Sequence, residues 1–298
     1  MSETKNQTPY KRRFGDRKDG RRIRTLDPYH ALMPYIMVKK NDACNYISDK
    51  VEVTEIDRYL RRLRTEGGMP GLGMMHLLTA VYIRTCAKYP ALNRFIAGQR
   101  LFARYHPELV MTIKTELKVD APETSIKVPF DITDTISDVY RKINEHVAKV
   151  KKAEETNTDD VAGLFSKIPR LVLKFAIWLL TLLDYFGKVP QFVMDASPFH
   201  GSLIITDLGS IGLPAIFHHI YNFGNLPIFL AIGAKRKEYE TQKDGTAAER
   251  KYCDLLLVID ERVSDGFYFS QAYRYFKSLL KNPAQLELPP DEVVEDLA

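Results

Sequence analysis

The stretch Asp260-Glu261-Arg262-Val263-Ser264-Asp265-Gly266 gathers ionisable side chains between an apolar run, Leu255 to Ile259, and a helical pattern starting near Phe267. Acid–base chemistry is sought first at such a junction, where one side of the chain is buried and the other is open. The same residues also have a plain structural reading. Glu261 is then a solvated acid paired with Arg262, and Asp265-Gly266 is a turn ahead of a helix. Thr206 ends a second apolar run, Leu203-Ile204-Ile205-Thr206, where its hydroxyl suits a backbone carbonyl. His218 and His219 are adjacent, so on a strand they point to opposite faces and cannot serve one site. Packing or surface roles fit them, with one as a substitute base the sharper alternative. His76 heads a helix and reads as a cap-region residue. The glycine loop Gly67 to Gly73 lacks the Lys-Ser/Thr of a phosphate-binding loop and reads as a connection. Cys44, Cys86 and Cys253 are far apart with no CxxC pair, which offers no start to a metal or redox site and fits a reducing cytoplasm.

The elements that must hold these residues follow from hydrophobic period. Residues 46–53 alternate like a half-buried strand, and Thr54 is placed to cap a helix whose apolar positions Ile56, Tyr59, Leu60 and Leu63 share a face. A long apolar helix is expected over 74–88, stopped before Pro90. Strands follow at 109–119 and 125–130, then a helix opened by Asp134 or Thr135 and running to about Lys152. Residues 154–160 are polar and loop-like. The last third reads as strands at 202–208, 226–233 and 253–259 and a helix over 267–281 that ends at Asn282-Pro283. Sheet and helix are mixed without the strict alternation of a doubly wound sheet, so the fold class is α+β in one domain.

With 298 residues, 45% hydrophobic and 27% charged, the chain has ordinary globular composition. The net charge of +5 is unevenly placed: residues 1–24 hold nine Lys/Arg against Glu3, Asp16 and Asp19. Residues 1–22 therefore read as a basic, disordered arm, and residues 289–298 as an acidic tail. Such an arm attracts phosphate or an anionic surface, but no nucleic-acid motif accompanies it, so solubility is the favoured role and no nucleic acid is expected. No signal peptide is evident in the first thirty residues.

Leu171 to Phe186 is apolar around most of its circumference, interrupted by Lys174 and Asp184. Sixteen residues fall short of the roughly twenty that cross a bilayer. Burial in the core or at a subunit contact is favoured, because Asp184 is ill placed for lipid. The alternative lays Leu171, Phe175 and Trp178 in a membrane surface, making the protein peripheral to the membrane.

Residues 255–283 resemble the catalytic domain of the 2-oxoacid dehydrogenase acyltransferases (dihydrolipoamide acyltransferases), relatives of chloramphenicol acetyltransferase. That family places Asp-His-Arg-x-x-Asp-Gly after an apolar strand and before such a helix. Ile204-Ile205-Thr206-Asp207-Leu208-Gly209-Ser210-Ile211-Gly212 is similar to its Thr-Ile-Ser-Asn-Leu-Gly-x-x-Gly, and residues 217–222 and 228–233 match the strand pair that follows. Lys88-Tyr89-Pro90-Ala91-Leu92-Asn93 and Val51-Glu52-Val53-Thr54 match earlier family segments. The likeness runs collinearly over residues 23–288, with the apolar helix as an insertion at about 160–192.

The resemblance implies a two-layer sandwich of mixed β-sheet and flanking helices, a homotrimer, and acyl transfer between coenzyme A and a thiol such as dihydrolipoamide, without a metal. It puts Glu261 at the position of the catalytic histidine and Thr206 at the hydroxyl that binds the oxyanion. Asp265 is the aspartate that orients the loop through an arginine, Arg24 being the candidate, with Gly266 and Arg262 supporting the site. A thiol titrates near ~8.5 and a free Glu near ~4.3, so the proton moves uphill by about four units, against about two for histidine. Burial raises a carboxyl by up to ~3–5 units, which narrows that gap. The alternative is therefore a catalytically impaired scaffold or acyl-CoA-binding pseudoenzyme. A lipoyl domain exceeds the ~22 residues before Ile23, so any lipoyl group is expected from a partner chain.

Overall fold

The computed structural model describes residues 10–114, 123–152, 168–242 and 244–296. In chain order they form β1 (Gly20–Arg22), α1 (Pro28–Ile36), β2 (Cys44–Glu52), α2 (Thr54–Thr65), α3 (Met74–Lys88), β3 (Arg94–Ala97), β4 (Arg100–Arg104), β5 (Glu108–Lys114) and β6 (Glu123–Pro129). Then follow α4 (Ile136–Lys152), α5 (Arg170–Tyr185), α6 (Gln191–Ala196), β7 (Leu203–Asp207), β8 (Ile228–Ile232), β9 (Arg236–Thr241), β10 (Ala247–Asp260) and α7 (Gly266–Lys281).

The main sheet runs β2-β10-β8-β7-β5-β6, with β9 pairing the outer half of β10. β7 lies parallel to both β5 and β8, and every other pairing is antiparallel. This mixed sheet is covered on one face by α2, α3, α4 and α7, whose apolar residues form the principal core. α3 sits at its centre and is buried nearly all round, which is why its sequence has no polar stripe. A smaller cluster, with Val110, Ile204, Phe229 and Val258, lies on the opposite face beneath Ile220 and Leu226. The architecture is the mixed-sheet, helix-flanked α+β sandwich that the sequence resemblance implied.

A second sheet, β1-β4-β3, was not foreseen. β3 and β4 are joined by Gly98-Gln99, both at positive φ (54° and 57°), the geometry of a two-residue hairpin turn. A Cβ on Gly98 would come within 2.2 Å of the Tyr185 carbonyl, so glycine is also what lets the end of α5 sit on the turn. α1 was missed as well. Its Pro28 stands in the first turn, where the missing N–H is harmless, and Asp27 caps it by accepting from Tyr29 N and His30 N.

Other expectations are refined. Thr54 does not cap α2: its hydroxyl accepts from Lys251 N at 3.0 Å, tying β10 to the helix start. Thr135 and Asp138 cap α4 reciprocally, Oγ1 accepting from Asp138 N and the carboxylate from Thr135 N. Residues 217–222, expected as a strand, have no regular structure. Residues 154–160 and the end of the strand expected at 109–119 lie outside the described residues. Residues 10–22, placed in the arm by the sequence, are built into the fold. β1 pairs with β4, and Arg17 is 4% exposed between Asp19 (3.0 Å) and Asp184 (2.6 Å).

Candidate active site

Glu261 opens a short 3-10 turn (Glu261–Val263) directly after β10 and is half-buried. Its carboxylate accepts from Asn45 Nδ2 at 2.8 Å; Asn45 stands opposite Ile259 on β2. The pairing of Glu261 with Arg262 is not formed. Arg262 turns inward instead, with Nε and Nη2 on the two carboxylate oxygens of Asp260 (2.8 and 2.6 Å) and Nη1 donating to Met37 O (2.6 Å). Both partners are almost fully buried, and a bidentate pair with a further carbonyl contact is the geometry that offsets their desolvation. The outcome fixes the turn to the segment after α1 and leaves Glu261 facing outward.

Beside this pair lies Lys40, 4% exposed, whose Nζ donates to Gly224 O at 2.6 Å. Burial pulls its ammonium down to about 7, opposed by the Asp260 carboxylate. Nothing in its local pattern signals this burial, since a lysine in Lys39-Lys40-Asn41-Asp42 reads as a surface charge.

Thr206 is half-buried near the end of β7, opposite Ala231. The chain turns sharply after it. Asp207 accepts from Ser210 N (3.0 Å), and burial raises the Asp207 carboxyl. A Cβ on Gly209 would lie 2.4 Å from Gly233 O, so this glycine permits the turn to pack on the end of β8.

Thr206 and Glu261 do not meet within one chain. Leu256 is in register with Ala231, which is in register with Thr206. Glu261 therefore lies roughly 17 Å further along β10 and about 10 Å across two strands. The residues occupy opposite ends of the central strands.

Asp265 caps α7, accepting from Tyr268 N at 2.8 Å, and is exposed; Gly266 begins the helix with open space where a Cβ would point. Arg24 is engaged elsewhere: Nη2 contacts Asp16 Oδ1 at 2.9 Å and the Phe14 carbonyl, and Nη1 the Arg22 carbonyl. His218 is stacked on Phe229 at 4.3 Å, and burial lowers its pKa. His76 accepts from Gly73 N at 3.1 Å in the first turn of α3, and burial lowers it to about 4.

Sequence reasoning also passed over a buried array at the C-terminal end of α5. Asp184 receives Arg17 and lies 3.5 Å from His200 Nε2, while His200 Nδ1 is 2.8 Å from Ser197 Oγ. Though Asp, His and Ser occur together, His200 is 1% exposed, which gives this array a structural role. Among the described residues no cluster of His, Cys, Asp or Glu is arranged to hold a metal ion, and no helix is long and apolar enough to cross a membrane.

Residues 196–288, which include both Thr206 and Glu261, match the family model of the 2-oxoacid dehydrogenases acyltransferase (catalytic domain). No curated protein matches the chain. Among solved structures the chain is similar to a probable dihydrolipoamide acetyltransferase from Listeria monocytogenes, at 16% identity and a TM-score of 0.55, covering 86% of this chain and 92% of that one. It is also similar to the cubic core of the pyruvate dehydrogenase multienzyme complex (15%, TM-score 0.51, 87% and 89% covered). Chloramphenicol acetyltransferase has 12% identity and a TM-score of 0.51, with 86% and 96% covered. These likenesses establish the fold, and the C-terminal third carries the family's own sequence pattern.

Proposed function

We propose that the protein is an acyltransferase that moves an acyl group between coenzyme A and a thiol acceptor such as dihydrolipoamide, at a site completed by a neighbouring copy of the chain. The supporting observation is the placement of Thr206 and Glu261 at opposite ends of the central strands, both inside the matched segment. In a homotrimer, Glu261 of one protomer faces Thr206 of the next. Glu261 accepts the thiol proton, Asn45 orients its carboxylate, and the Thr206 hydroxyl donates to the oxyanion formed as sulfur attacks the acyl carbonyl. Arg262 and Asp260 hold the turn, and Asp265 and Gly266 set the start of α7 beneath it. The three free thiols fit a cytoplasmic setting.

Purified protein given acetyl-CoA and dihydrolipoamide releases free coenzyme A thiol above the level of a Glu261→Ala control. Equal release by the two removes this reading. A second reading, a trimeric scaffold or acyl-CoA binder without turnover, is favoured by the carboxyl at position 261. Calorimetry against acetyl-CoA then shows heat of binding with no thiol release for the binder, and neither for the scaffold.

A further inference from the structure

We propose that the outer face of α5, together with the basic segment folded against its C-terminal end, is a docking surface for a bilayer containing anionic lipids. The helix is apolar on its outer side as well as on the side it packs against the protein. It turns Leu173, Ala176, Leu180, Leu183 and Asp184 toward the protein and presents Leu171 (79% exposed), Phe175 (59%), Trp178 (57%), Leu182 and Phe186 outward. At 100° per residue these five share an arc of about 80°, forming an apolar stripe roughly 24 Å long. Asp184, the residue that argues against lipid in the sequence, is the one the fold removes. It is buried on Arg17 at 2.6 Å and never faces the stripe.

The charge on this surface is equally one-sided. A cleft of about 580 Å³ opens where α5 ends, with Tyr185 and Phe186 forming part of its wall. Arg12, Arg13, Lys18, Arg100 and Lys188 line it, and among the described residues none of the five makes an ion pair. The sole acid of the lining, Asp16, is neutralised by Arg24 at 2.9 Å. Residues distant in sequence thus converge into one patch, apolar along the helix and cationic at its end. An apolar helix face alone gives weak, reversible membrane binding, and adding a polybasic cluster supplies the second attachment. An isologous contact, this patch against the same patch of a second copy, would set these cations against each other, which charge complementarity disfavours. Since no helix among the described residues is long and apolar enough to span, α5 lies in the interface, its edge residues Arg170 and Lys174 reaching the headgroups.

The test uses the full chain, whose single tryptophan, Trp178, lies in the stripe. With mixed phosphatidylcholine–phosphatidylglycerol vesicles the protein cosediments and Trp178 emission moves to shorter wavelength. Pure phosphatidylcholine weakens binding by about tenfold or more, as does the triple change Arg12→Glu, Arg13→Glu, Lys18→Glu. Phe175→Asp abolishes the emission shift with the circular dichroism spectrum retained. Failure of the wild-type chain to bind the mixed vesicles overturns the proposal without reference to any variant. So does vesicle-free emission that is already shifted and moves to longer wavelength on dilution, which assigns the face to a second copy. Displacement from the vesicles by inorganic pyrophosphate with no change in Trp178 emission on vesicle binding also overturns it, leaving a soluble phosphate site. None of these outcomes depends on acyl transfer.

Discussion

Glu261 keeps its carboxylate on the Asn45 amide and its backbone in a turn locked by the buried Asp260–Arg262 pair, so its position is well defined, while the base role proposed for it is chemically demanding. Proton transfer from a thiol to a carboxylate is uphill by about 6 kcal/mol from the reference values, against about 3 kcal/mol for imidazole. If Glu261 is the proton acceptor proposed above and that step limits the reaction, placing an imidazole there with Glu261→His raises the rate of thiol release by at least about tenfold. An unchanged rate means that another group takes the proton. Lys40 gives a prediction independent of activity. Its folded pKa of about 7 lies below the ordinary lysine value, so between those two pH values the unfolded chain binds a proton that the folded chain does not. Stability from this source rises with pH across that window, and the cost of the buried charge is fully present below about pH 7. Chemical denaturation of the wild type and Lys40→Met at pH 6 and pH 8.5 should show the wild type gaining about 2 kcal/mol relative to the variant at the higher pH. A difference independent of pH refutes the assignment.

The element scale shows which interactions hold the less expected parts of the chain. α5 and the N-terminal segment are joined through Arg17 and Asp184. Burial raises the Asp184 carboxyl, but His200 and the Arg17 guanidinium outweigh that and hold it at about 2. Its contribution is therefore present above the ordinary carboxylate range and is lost as pH falls toward 2. Asp184→Ala leaves the Arg17 charge buried without this partner and should cost about 3–5 kcal/mol in urea unfolding at pH 7, against a smaller loss at pH 2.5. None of this was legible beforehand. Arg17 sits in a run of charges that reads as solvated, and the partner that ties it to α5, Asp184, lies far away in sequence. The long elements were readable because each carries its own pattern. α3 has apolar residues on every side, α7 is bracketed by Asp265 and Asn282, β8 is apolar throughout, and β7 and β10 carry the apolar runs Leu203 to Ile205 and Leu255 to Ile259. The short strands β1, β3 and β4 have no such signal, since three to five residues span less than one recognisable pattern. α1 was hidden by Pro34, which lies inside it and elsewhere would mark a helix end.

At the scale of the whole molecule, the sequence named Thr206 and Glu261 from their flanks, and the sheet register sets the two apart. A site built from both requires two protomers, and that requirement is testable by mixing. Take Glu261→Ala and Thr206→Ala chains, each inactive alone, and reassemble them together from denaturant. In a closed trimer every interface is directional, pairing Glu261 of one protomer with Thr206 of the next. Each mixed trimer then holds one interface at which both residues are intact, whichever variant is in the majority. Random assembly from equal amounts should restore about a quarter of the wild-type specific activity. If both residues served a site within one protomer, no mixture would contain an intact site and activity would stay at the level of the parents. The variants change one residue on β7 and one in the turn after β10, neither of them in the buried core, so recovery of a fixed fraction separates a shared site from a simple gain in folding yield.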